Sequence, residues 1–115
     1  MRAAGQSGWN CTFTSPVTKE QLSATYRIEK GDIVQTWRNG MNTTFHIVEN
    51  NKYGLIGIAS MSEMEAGKTT PTVGAMTVVI DKGNKKFWLS SEVNGQPGLP
   101  DLDLTGLVQG TCLSH

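Results

Sequence analysis

Two cysteines, Cys11 and Cys112, stand near opposite ends of a 115-residue chain. A bond between them would tie the two ends together and close almost the whole chain into one loop. Metal-binding cysteines come as close pairs, and these do not. The placement therefore points to a Cys11–Cys112 disulfide. By chain-entropy arguments a loop of this length contributes about 4–5 kcal/mol, less any strain. A disulfide in turn implies an oxidising compartment, so the protein is expected to be periplasmic or secreted. The start, Met1-Arg2-Ala3-Ala4-Gly5, has no apolar leader, and export would imply a leader already removed.

What lies between the cysteines reads as strands. Leu22-Ser23-Ala24-Thr25-Tyr26-Arg27-Ile28 alternates apolar and polar residues, the pattern of a strand with one buried face. Glu29-Lys30-Gly31-Asp32 is a turn, and Ile33, Gln35 and Trp37 resume on one face, completing a hairpin. Asn39-Gly40 is a favoured type I′ pair and predicts a second tight turn. Thr43 to Val48 is rich in β-branched and aromatic residues. After the turn at Glu49-Asn50-Asn51-Lys52, Tyr53 to Met61 is apolar on both faces, with Gly54 and Gly57 inside it.

Residues 63–71 break the pattern and form the longest candidate loop, with one helical turn possible over Ser62 to Ala66. Val73 to Ile80 is again apolar throughout, as a central strand would be. Asp81-Lys82-Gly83-Asn84 turns the chain into Phe87-Trp88-Leu89, and a loop rich in Gly and Pro spans Asn94 to Pro100. A last short strand from about Leu107 carries Cys112.

The fold expected is all-β: about eight antiparallel strands in an up-and-down meander, closed into a small barrel or flattened sandwich. Closure would remove exposed edges and set the first strand beside the last, where the disulfide requires them. One domain over 1–115 is expected, with residues 1–7 outside its ordered part.

Charge narrows the partners. Ten Lys and Arg balance ten Asp and Glu, leaving no field to attract nucleic acid or an anionic membrane. The cluster Lys82, Lys85 and Lys86 reads as a solvated turn. No apolar run reaches the roughly 20 residues of a membrane-spanning helix. Two sequons, Asn10-Cys11-Thr12 and Asn42-Thr43-Thr44, would accept glycans in a eukaryotic secretory route.

Catalytic sets are hard to assemble. The two histidines are His46, read as mid-strand and solvent-facing, and His115, the last residue. The acidic pairs Glu63/Glu65 and Asp101/Asp103 stand two apart on loops, a poor start for carboxylates that must face each other. Asp101, Asp103, Thr105 and Gly106 match the opening of a calcium loop, but Cys112 stands where its bidentate glutamate belongs. Met61 and Met64, with Met41, His46 and Trp37, form a soft ligand set without a copper carrier's spacing. No catalytic residue, metal or cofactor is assigned.

The three tryptophans, Trp9, Trp37 and Trp88, all fall in predicted strands. They fill a barrel interior or cover its ends, or one or two of them line a mouth and hold an apolar or sugar-like ligand. In outline, with Ser7-Gly8-Trp9-Asn10 at the start, the chain resembles avidin-type and lipocalin-type barrels. In size and strand count it also resembles the disulfide-linked β-barrel lysozyme inhibitors of bacterial periplasms. Both resemblances imply architecture only, and no ligand site is carried over.

The function expected is a non-enzymatic exported binding module for a protein or cell-envelope component. The loops 63–71 and 94–103, or a sheet face, would make the contact. A small-ligand carrier with a Trp-lined cavity is the alternative, and a small enzyme the third. Monomer and homodimer are both open.

Overall fold

The computed structural model describes residues 8–15, 18–64, 66–94, 96–97 and 107–114, with 96–97 as backbone alone. Residues 1–7, Glu65, most of the 94–103 loop, Asp101, Asp103, Thr105, Gly106 and His115 lie outside the described residues.

The strands are β1 (Gly8–Thr14), β2 (Gln21–Glu29), β3 (Asp32–Trp37), β4 (Asn42–Asn50), β5 (Gly54–Glu63), β6 (Thr72–Asp81), β7 (Lys86–Val93), β8 (Gln96–Pro97) and β9 (Leu107–Ser114). Each of β1 to β7 pairs antiparallel with the next; β7 then pairs with β9, and β9 with β1. Eight strands thus close into a barrel, as the meander predicted. The two-residue β8 folds back on β7 through Glu92↔Pro97 and Val93↔Gln96. The stretch expected to form a helical turn instead gives Ser62 and Glu63 to the end of β5 and a turn at Ala66-Gly67.

The seam joins β1 to β9, with Cys11 directly opposite Cys112. Their disulfide is formed, with Cα atoms 4.0 Å apart, and both residues are buried. A bonded pair on facing strands fixes the register of the seam as well as its existence. Gly110 lies beside it for a steric reason: a Cβ there would sit 1.9 Å from the Thr12 carbonyl oxygen. The exported, oxidising setting inferred from the cysteines is compatible with this bond.

Alternation along each strand sends one face inward. Phe13, Tyr26, Ile33, Phe45, Leu55, Val78, Ile80, Phe87 and Leu89 fill the interior, each with at most 3% of its surface exposed. Gly57 faces inward too, and a Cβ there would meet Ile33 Cδ1 at 2.7 Å. The packing is side chain on side chain, with Phe13 and Tyr26 rings 5.7 and 5.6 Å from that of Phe87.

The turns carry the strained backbone. Lys30 and Gly31 both have positive φ, 52° and 83°, as a two-residue type I′ hairpin demands. The Asn39-Gly40 turn differs from the expected type I′. Only Gly40 has positive φ (88°), its N–H donates to the Trp37 carbonyl, and Trp37 N–H donates to Met41. This is a type I turn with a glycine bulge and a three-residue loop. The cause is register. A two-residue loop would set Ile33 opposite His46 and turn Phe45 outward, whereas the extra residue sets Ile33 opposite Phe45, both buried.

Candidate functional site

Strands β5 and β6 are apolar on both faces, yet the barrel covers only one. Leu55, Met76, Val78 and Ile80 turn inward, which leaves Ile56, Ile58, Val73 and Val79 on the outside. Register lines these up with the next strands. Ile56 stands opposite Val79, and Val79 opposite Trp88 on β7, so three large apolar side chains form one outward row. The neighbouring row runs Ile58, Thr77, Ser90, Leu107, with Ile58 39% and Leu107 51% exposed. Directly opposed side chains on one sheet face lie about 5 Å apart at Cβ, so each row is continuous.

At the end of this wall nearest the β4–β5 turn is a shallow depression of about 350 Å3. Ile56, Val79 and Trp88 line it together with Tyr53, a residue 70% exposed. Two carboxylates, Glu49 and Asp81, also line it. Local turn chemistry holds each in place. Asn51 Nδ2 donates to Glu49 at 3.0 Å, while Asn51 Oδ1 accepts the N–H groups of Tyr53 and Gly54. Asp81 accepts from the Asn84 backbone N–H at 3.0 Å and from the Asn84 side chain at 2.9 Å. Those donors, with Gly83 N–H and the nearby Lys86 charge, hold the Asp81 carboxyl below the usual carboxylate range. Lys52 lies over the Tyr53 ring at 5.1 Å. The result is an apolar floor with an aromatic wall and fixed negative charge at one side.

The three tryptophans are not brought together. Trp9 is buried at the end that holds the β2–β3 turn, with Lys82 Nζ 5.6 Å from its ring centre. Trp37 is buried at the opposite end of β3, edge-on to Phe13 at 6.0 Å. Trp88 faces outward. The lysine cluster likewise divides: Lys82 Nζ donates to Asn50 Oδ1, and the carbonyl of Lys85, in the β6–β7 turn, accepts the Cys112 N–H of β9.

His46 is on the outer face, with Nδ1 3.7 Å from Asp32 Oδ1 and no enclosing cleft. Among the described residues no three His, Cys, Asp or Glu side chains gather as a metal site. Met41 and Met64 are exposed on separate turns, apart from Met61 on β5. Asn10 and Asn42 of the two sequons are both exposed, and Asn42 Oδ1 accepts from Thr36 Oγ1 at 2.8 Å. No described helix is long and apolar enough to cross a membrane.

Of the site residues expected from sequence, Trp88 alone lies on this wall; Tyr53, Ile56 and Val79 were missed. Their signal was present in two neighbouring strands with more apolar residues than one buried face can use. The chain has no match among known protein families, among curated proteins, or among solved structures.

Proposed function

We propose that the protein is a non-enzymatic binding module of a periplasmic or secreted setting. Its contact face is the outer wall of β5, β6 and β7, and it engages a protein or cell-envelope component. The observation that carries this reading is the outward row Ile56–Val79–Trp88, continuous with exposed Ile58, Leu107 and Tyr53. Scattered apolar residues on a surface need no explanation, whereas aligned ones around an aromatic side chain mark contact faces. Tryptophan and tyrosine serve such faces well, because a large rigid ring buries area at little conformational cost.

A photoreactive side chain placed at position 88 tests the reading in extracts of the native compartment. A discrete adduct is expected there and none from position 25, on β2 away from the wall. Equal labelling from both positions, or none from either, would refute the reading, as would turnover of a substrate by the purified protein with no adduct formed.

A further inference from the structure

Strand pairing closes the barrel all round, but not over its whole height. The β4–β5 ladder ends at His46↔Ile58, whereas β5 runs on beside β6 from Ala59↔Met76 to Glu63↔Thr72. Among the described residues, the other edge of residues 59–63 has no ladder partner. Alternation shows which peptide groups lie on that edge. In an antiparallel strand the N–H and C=O of one residue point to one neighbour, and those of the next residue point to the other. The Tyr53 carbonyl accepts from Lys82 N–H, on the β6 side, and the Gly54 carbonyl accepts from Asn51 N–H, on the β4 side. The β5–β6 register is unbroken from Gly54↔Asp81 onward, so the even-numbered residues of β5 face β4. Past Ile58 these are Ser60 and Ser62, both exposed. On the other side of the opening the Met41 carbonyl accepts Trp37 N–H of β3, so Asn42 and Thr44 turn their peptide groups toward β5 by the same count. A second edge at this end is finished differently. β7 outruns β9 after Ser90↔Leu107, and there β8 folds back to pair with Glu92 and Val93. Residues 59–63 carry no Pro, Lys or bulge, the devices that blunt an open edge, and their one charge, Glu63, stands last.

We infer that residues 59–63 of β5 are a docking edge for an extended peptide segment of a partner protein, which adds to the sheet as a further strand. The recognising chemistry is the backbone itself. The N–H and C=O of Ser60 and Ser62, about 7 Å apart along the strand, match an extended main chain and no compact ligand. Every second side chain of the guest turns toward the barrel end, on the face of half-buried Met61 and of Ala59, which packs on the core. Those guest residues are apolar, and the ones between them face solvent beside Ser60 and Ser62. The edge is at the opposite end of β5 from Tyr53 and the depression, so this inference stands or falls apart from the outer-wall reading.

The first test needs no ligand. In the free protein the amides of Ser60 and Ser62 should exchange at least about 100-fold faster than those of Ala59 and Met61, which face β6. Equal protection would mean that this chain already covers its own edge, and would overturn the inference. The second test is selection from a random-peptide display library on the immobilised protein. Selected peptides should carry apolar residues at alternate positions and should slow exchange at Ser60 and Ser62. Ser60→Pro and Ser62→Pro each remove an edge N–H without breaking a bond to β6, and should weaken peptide binding at least about tenfold. Ser60→Ala and Ser62→Ala keep the backbone groups and should change it by less than about twofold. If a proline variant loses its cooperative melt, the selected peptide N-methylated along its main chain takes its place, with the same loss of binding expected. Failure to select any peptide, or alanine variants as weak as the proline ones, would refute the docking edge. A concentration-dependent dimer abolished by Ser62→Pro, in place of peptide binding, would overturn it too, by giving the edge to a second copy of this chain.

Discussion

The seam and the wall of this barrel use similar residues for opposite ends. At the seam, β1 and β9 turn Trp9, Phe13, Cys11, Val108 and Cys112 inward, all buried, and Gly110 lets the two backbones close. On the wall, β5 to β7 have already supplied the interior, and Ile56, Val79 and Trp88 remain outside. A buried apolar group contributes to folding by leaving water. A half-buried one on the outer face, as these three are, contributes less to folding and keeps apolar area that a partner can still cover. The same residue type, tryptophan, therefore serves the core at Trp9 and Trp37 and lies half-buried on the outer face at Trp88.

If that division is right, changes at the seam should cost stability and leave the wall's chemistry alone. The largest effect should come from removing the disulfide. Cys11→Ala with Cys112→Ala, or full reduction, should lower stability by about 4–5 kcal/mol in urea titration, because the closed loop spans nearly the whole chain. An unchanged midpoint would mean that the seam is held by the strands alone. Next is Gly110→Ala, whose added Cβ cannot coexist with the Thr12 carbonyl oxygen in the present geometry. A loss of about 3 kcal/mol is expected, with faster amide exchange at β1 and β9. Exchange that rises equally around the barrel would erase the distinction between seam and wall.

On the wall the order reverses. Trp88→Ala should cost about 1 kcal/mol or less in the same titration while abolishing capture of the partner. A large stability loss there would make Trp88 a packing residue. The smallest effect concerns Asp81. Its carboxyl is held below the ordinary range chiefly by the Asn84 backbone and side-chain donors. The ionised form is thus favoured by folding, and its contribution is present above the unfolded value near 4. It is lost as pH falls through the lower folded value. Asp81→Asn should flatten this acid dependence without moving the neutral-pH midpoint by more than a small amount, because solvent screens a carboxylate at the barrel rim.

Much of this was legible in the residues. In β2 and β3 the alternation names the inward face outright, and Ala24, Tyr26, Ile33, Gln35 and Trp37 all point in as it requires. The cysteine spacing foretold the closure as well as the bond. The wall was harder, because alternation is silent where both faces are apolar. For residues 53–61 and 73–80 a one-residue shift would exchange the faces without changing the pattern. The Asn39-Gly40 turn failed for a related reason. A dipeptide preference is local, and it yielded to the register that brings Phe45 opposite Ile33.

By itself, then, the sequence determined the class of fold, the meander order and the disulfide, because strand periodicity and cysteine placement are properties of the chain. The tertiary structure alone decided which apolar face of β5 and β6 is spent on the core. It also decided that Trp9 and Trp37 lie at opposite ends of the interior while Trp88 stands outside. Those outcomes depend on which face of each strand the closed barrel turns inward, and where both faces are apolar only the packing of the whole barrel makes that choice.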